Sequence, residues 1–113
     1  MYSDIEEARS HHDLLRQIVE RHAAAATDYR ALRRVLDLCR RATGAIDDRY
    51  CRDKLRLVED FAAEMFCHGE QRTQFLRQQI LDALELFHSR LYSLEILRRS
   101  AARSSRKAIE ART

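Results

Sequence analysis

The chain has 113 residues, 35% of them charged and 45% hydrophobic, which is the size of one domain at most. It contains no Pro, no Trp and only two Gly, and Ala, Glu, Lys, Leu and Arg supply about half of it, the balance of long helices and coiled coils rather than of a disordered chain. The net charge of +3 is a property of the C-terminal end, where Arg98, Arg99, Arg103, Arg106, Lys107 and Arg112 face only Glu110, so the remainder is slightly acidic.

No stretch approaches the ~18 consecutive apolar residues of a membrane span. The opening MYSDIEEARS is acidic and has no apolar core of a signal peptide. Cys39, Cys51 and Cys67 are odd in number and include no close-spaced pair. Reduced thiols and a cytoplasmic location are the expectation.

The first element opens on Ser3-Asp4-Ile5-Glu6, a capping-box pattern in which Ser3 and Glu6 satisfy each other's backbone N–H groups. Ile5, Ala8, His12, Leu15, Val19, His22, Ala26 and Tyr29 follow at spacings of three and four, one face of a helix. Leu14, Ile18, Leu32, Leu36 and Cys39 widen that face. With neither Gly nor Pro to interrupt it, the pattern predicts one continuous helix over about 4–42, roughly 58 Å long, ending at Gly44 as a left-handed cap. A break at Thr27-Asp28 is the competing reading, and it gives a four-helix bundle within one chain.

The second helix is expected over about 47–68. Asp47 and Asp48 lie at its start, with Ile46 and Cys51 placed as a hydrophobic staple. Its stripe is Cys51, Leu55, Val58, Ala62 and Met65, and Gly69 is the expected stop. The third helix, over about 70–111, carries the stripe Ile80, Leu84, Phe87, Leu91 and Leu94, and the apolar period weakens at Arg98. The expected fold is therefore all-α: three long amphipathic helices in an antiparallel bundle or coiled coil. Residues 1–97 form the bundle, and 98–113 a basic extension, helical or frayed.

Short connections make neighbouring helices antiparallel. In a three-helix chain the short second helix covers only part of its neighbours, which leaves apolar overhangs at 4–20 and 94–112. An uncovered amphipathic helix is marginal in water, so a homodimer is expected, closed through Leu14, Leu15, Ile18 and Val19 with Leu94, Leu97 and Ala101.

Three constellations bear on chemistry. Antiparallel pairing about residue 45 brings His22 towards Glu64 and His68, a donor set for zinc or another transition metal if the groups converge. The same pairing sets Cys39 opposite Cys51 and puts Glu85 and His88, an E-x-x-H pair of the kind used in di-metal bundles, on that layer. The structural alternative is core filling by small thiols and satisfied seam histidines, and no cofactor is expected. Third, Arg98, Arg99, Arg103, Arg106 and Lys107 suit phosphates without base readout, since no aromatic residue interleaves them. No Gly-rich phosphate loop, G-x-S-x-G or H-E-x-x-H occurs, so no enzyme class is indicated. The expected function is a non-catalytic protein–protein interaction module, an adaptor or assembly protein acting as a homodimer. A metal-binding bundle and a nucleic-acid accessory protein using the basic end are the alternatives.

Overall fold

The computed structural model describes residues 3–23, 26–68 and 72–112, with Ser3 and residues 104–112 described by their backbone alone. The described residues form four helices: α1 (Ser3–Arg21), α2 (Tyr29–Ala45), α3 (Arg49–His68) and α4 (Thr73–Arg112). The expected 4–42 helix is two helices. The capping-box Ser3 and the expected Gly69 stop have no described side chain or backbone, respectively, although α3 ends at His68 and α4 begins at Thr73.

Each helix packs on its two neighbours in the order α1–α2–α3–α4–α1, with no diagonal pair among the described residues. The end contacts make every neighbour antiparallel. Arg98, in the second half of α4, pairs with Asp4 at the start of α1, and Arg77 near the start of α4 reaches the carbonyls of Val19 and His22 at the end of α1. Arg90 of α4 pairs with Asp48 at the head of α3. The result is an up-down-up-down bundle, 66 × 21 × 20 Å.

The core is one cluster. Ile5, Ala8, Leu15 and Val19 of α1 meet Val35, Leu38, Cys39 and Ala42 of α2. Cys51, Leu55, Val58, Ala62, Met65 and Phe66 of α3 meet Leu76, Ile80, Ala83, Leu84, Phe87 and Leu91 of α4. The stripes read from the sequence for α1, α3 and α4 are buried through Val19, Met65 and Leu91, whereas in α2 the expected Tyr29 is exposed, Leu32 and Leu36 are half-buried, and Val35, Leu38 and Ala42 join Cys39 in the core.

The break at residues 22–28 has a physical cause that local propensity does not carry. A continuous helix leaves the 4–20 stripe in water. Folding it back buries Ile5, Leu15 and Val19, at roughly 1.5–3 kcal/mol each. Interrupting the helix gives up a few backbone bonds at about 1 kcal/mol net apiece, and most are replaced. Asp28 Oδ1 accepts from the N–H of Ala31 at 3.0 Å and caps α2. The Asp28 N–H donates to the Phe66 carbonyl of α3, and the Arg77 guanidinium satisfies carbonyls at the end of α1. Burial therefore outweighs continuity.

At the next turn α2 runs through Gly44 to Ala45, and its cap is Ile46 in an extended conformation whose N–H donates to Ala42 O at 3.2 Å. Gly44 is thus a helical residue and not the left-handed cap expected. Asp48 caps α3 by accepting from the Cys51 N–H at 3.1 Å, one residue later than read from the sequence. Ile46 and Cys51 are both buried beside it, as a staple requires.

Candidate functional site

α4 is twice as long as its partners, 40 residues against 17 to 20. Its last buried residue is Leu91, with Leu94 half-buried against the core. Arg98 reaches Asp4 at the first turn of α1, with Nη2 2.8 Å from Oδ2, and holds its carboxyl below the usual carboxylate range. Glu95 is bracketed by Arg9 of α1 and by Arg99, the latter at 2.8 Å. Beyond that point no helix among the described residues accompanies α4. Ala101, Ala102 and Arg103 are exposed, and the helix continues to Arg112, about 21 Å past the bundle.

The outer face of α4 carries several of the exposed apolar groups. Leu86, Ile96 and Leu97 are 44%, 45% and 57% exposed, and the small residues Ser89 and Ser93 lie between them. Tyr50 of α3 joins Leu86, Ser89, Arg90 and Ser93 around a shallow depression of about 220 Å³. Arg90 fixes its floor, bonded through Nε and Nη2 to Asp48 at 3.2 and 3.0 Å. That guanidinium holds the Asp48 carboxyl down at about 2.

The expected dimer residues divide. Leu15 and Val19 are fully buried in the chain's own core, and Leu14 and Ile18 are half-buried against it. The overhang expected at 4–20 is therefore covered by this chain, because the break before α2 brings α2 and α4 onto α1. Leu94 is half-buried, while Leu97 and Ala101 are exposed. Only the second overhang remains.

The expected metal donors do not converge. His22 is buried with its ring 4.4 Å from that of Phe66, and its Nε2 has no hydrogen-bond partner. Glu64 instead pairs with Arg72 at 2.8 Å on the surface, and His68 is exposed at the end of α3. Cys39 and Cys51 are buried free thiols. Burial pushes the Cys39 thiol up, and burial together with Asp48 raises Cys51 to about 12. Among the described residues no three His, Cys, Asp or Glu side chains come within range of a common ion. His88, the partner expected for Glu85, stacks on His12 with ring centroids 4.6 Å apart. His12 is buried between α1 and α4, its Nδ1 3.0 Å from Asp13 Oδ1. Burial holds it below the usual imidazole range against the opposing pull of Asp13, with His88 adding to the depression.

Of the expected polyanion-binding residues, Arg98 and Arg99 are engaged by Asp4 and Glu95. Arg103 is exposed. Arg106 and Lys107 have side chains outside the described residues, on a backbone that is helical there.

A further group was not singled out by the sequence. Arg49, Arg52 and Arg56 lie along the flank of α3 turned to α2, and with Thr43, Asp53 and Glu59 they line a groove of about 540 Å³. The signal was present as R-x-x-R-x-x-x-R at helical spacing, on the side of α3 flanking its apolar stripe.

No family model, no curated protein and no solved structure matches this chain. Its surfaces are therefore read from their own chemistry.

Proposed function

We propose that the protein is a non-catalytic interaction module that pairs with a second copy of itself along the outer face of α4, as an adaptor or assembly protein would. The observation that carries this reading is the length of α4. It runs about 21 Å beyond the last helix that could cover it, and exposes Leu97 and Ile96 where it leaves the bundle. An unsupported helix of that length is marginal alone.

Charge complementarity selects the second copy and an antiparallel orientation. With Ser93 at the crossing point, Leu97 of one chain lies over Ser89 and the depression beside Leu86 of the other. The exposed Arg103 then falls between the levels of Asp82 and Glu85 of the other chain. The exposed Asp82 and Glu85 meet the basic end twice, once on each side of the two-fold axis. Parallel pairing would set the basic ends, six cations against one anion from Arg98 onward, side by side.

Sedimentation at micromolar concentration tests it. The full chain should be a dimer, and Leu97→Glu a monomer. Glu85→Arg should weaken pairing, and Arg103→Glu should restore it in the double variant. A chain ending at Arg98 is the folding control, because it keeps the Arg98–Asp4 pair and the whole core. A monomeric full chain at about 100 μM, weaker than any useful dimer, would sink the reading.

A further inference from the structure

The groove between α2 and α3 holds an unusual grouping of charge. Arg49, Arg52 and Arg56 lie at i, i+3 and i+7 on α3, spread over about 10 Å of helix. Among the described residues none of the three guanidiniums takes part in an ion pair or a hydrogen bond. This holds although Asp53 and Glu59 line the same groove, and although arginines elsewhere on the bundle make such pairs freely, as Arg41–Asp37 and Arg16–Glu20 do. Opposite them lies Thr43 of α2, whose hydroxyl donates to the Cys39 carbonyl at 2.8 Å. The exposed Arg40 lies one turn before Thr43 on α2.

We infer that this groove binds a short polyphosphate, a ligand of three or so linked phosphates. Guanidinium is the donor best matched to phosphate oxygens, since its planar fork makes paired charge-assisted bonds. Three forks spaced along one helix flank suit a linear run of phosphates rather than a single ion. A second wall from α2 makes the site a groove of about 540 Å³, large enough for such a ligand. Asp53 and Glu59 reduce the field, leaving three cations against two anions before Arg40 is counted. A monovalent anion therefore gains little, whereas a ligand carrying several charges engages several forks at once. The site lies between α2 and α3, and none of the residues lining it lines the depression on α4, so its test does not depend on the pairing proposed above.

Calorimetric titration of the full chain with inorganic tripolyphosphate at low salt tests the inference, with orthophosphate and a single-stranded oligonucleotide as the other arms. Tripolyphosphate should bind one per chain, with an affinity that falls as salt rises. Orthophosphate should bind at least about tenfold more weakly. Arg52→Gln with Arg56→Gln should weaken tripolyphosphate by about tenfold or more. Arg33→Gln with Arg34→Gln, on the exposed side of α2, should leave it unchanged. Helical circular dichroism confirms that both double variants are folded. Absence of tripolyphosphate binding overturns the inference. So does equal weakening by the two double variants, which reports general surface charge. Tighter binding of the oligonucleotide through Arg52 and Arg56 also overturns it, in favour of a nucleic-acid strand.

Discussion

The backbone N–H of Asp28 donates to the carbonyl of Phe66 at 2.9 Å, tying the turn between α1 and α2 to the last turn of α3. The same residue caps α2 with its carboxylate. One position thus anchors the break that turns a long helix into two. Asp28→Ala removes the cap and keeps the backbone bond, so it should cost about 1 kcal/mol, read as a lower urea midpoint with an unchanged slope. Asp28→Asn keeps an acceptor at the cap and should lie close to the parent. A destabilisation equal in the two variants would show that the carboxylate acts through its charge and not as a cap.

That turn also marks how far the sequence was legible. The apolar stripes at Ile5–Val19, Cys51–Met65 and Ile80–Leu91 are buried as the sequence predicts, because a 3.6-residue period is written locally, whereas in α2 Tyr29 is exposed, Leu32 and Leu36 are half-buried, and Val35, Leu38 and Ala42 join Cys39 in the core. The break near Thr27-Asp28 was legible only as the competing reading, since neither Gly nor Pro marks it. The groups that stabilise it, Phe66 O and the Arg77 guanidinium, lie about forty to sixty residues away in sequence. Misplacing the break carried the site reading with it. Pairing arithmetic about a continuous first helix gathered His22, Glu64 and His68, whereas the fold gives His22 to Phe66 and Glu64 to Arg72. The basic end needed no pairing to be seen, and α4 does continue through it as a helix. Arg49, Arg52 and Arg56 were overlooked because a charged flank of a helix looks like ordinary solvated surface until a neighbouring helix turns it into a groove.

At the other end of the bundle Asp48 couples two helices, α3 and α4. It caps α3, pairs with Arg90 of α4 and lies beside the Cys51 thiol. Its carboxyl is held at about 2, below the ordinary 3.8, chiefly by the Arg90 hydrogen bonds. The folded state therefore favours the ionised form. The stability this gives is fully present above pH 3.8 and is lost as pH falls from there through about 2. After allowance for solvent screening of Arg90, the contribution is about 1 kcal/mol. Asp48→Asn should be less stable than the parent at neutral pH by about that amount, and the difference should shrink between pH 4 and 2. Urea midpoints measured across that range decide it. A gap that stays constant into acid would mean that Arg90 gains nothing from the charge.

The cysteines test the packing of the two central helices directly. Cys39 and Cys51 are both buried without exposure, while Cys67 is half-buried near the end of α3. Burial pushes the Cys39 thiol up, and Cys51 is raised to about 12, so at pH 8 only about one Cys51 in 10⁴ is a thiolate. Access and ionisation act in the same direction at these two positions. Alkylation with iodoacetamide under native conditions at pH 8 should therefore modify Cys67 first, with Cys39 and Cys51 reacting only as fast as the bundle opens. In denaturing urea all three should react alike. Peptide mass mapping against time separates the sites. Native modification of Cys39 at the rate of Cys67 would require α2 to leave α3 readily, which the burial of Val35, Leu38 and Ala42 beside it opposes. The same time course on Asp28→Ala adds a mechanical reading. If the Asp28 cap holds the start of α2 against the end of α3, its loss should speed Cys39 more than Cys51, which lies at the opposite end of α3 under the Asp48–Arg90 pair.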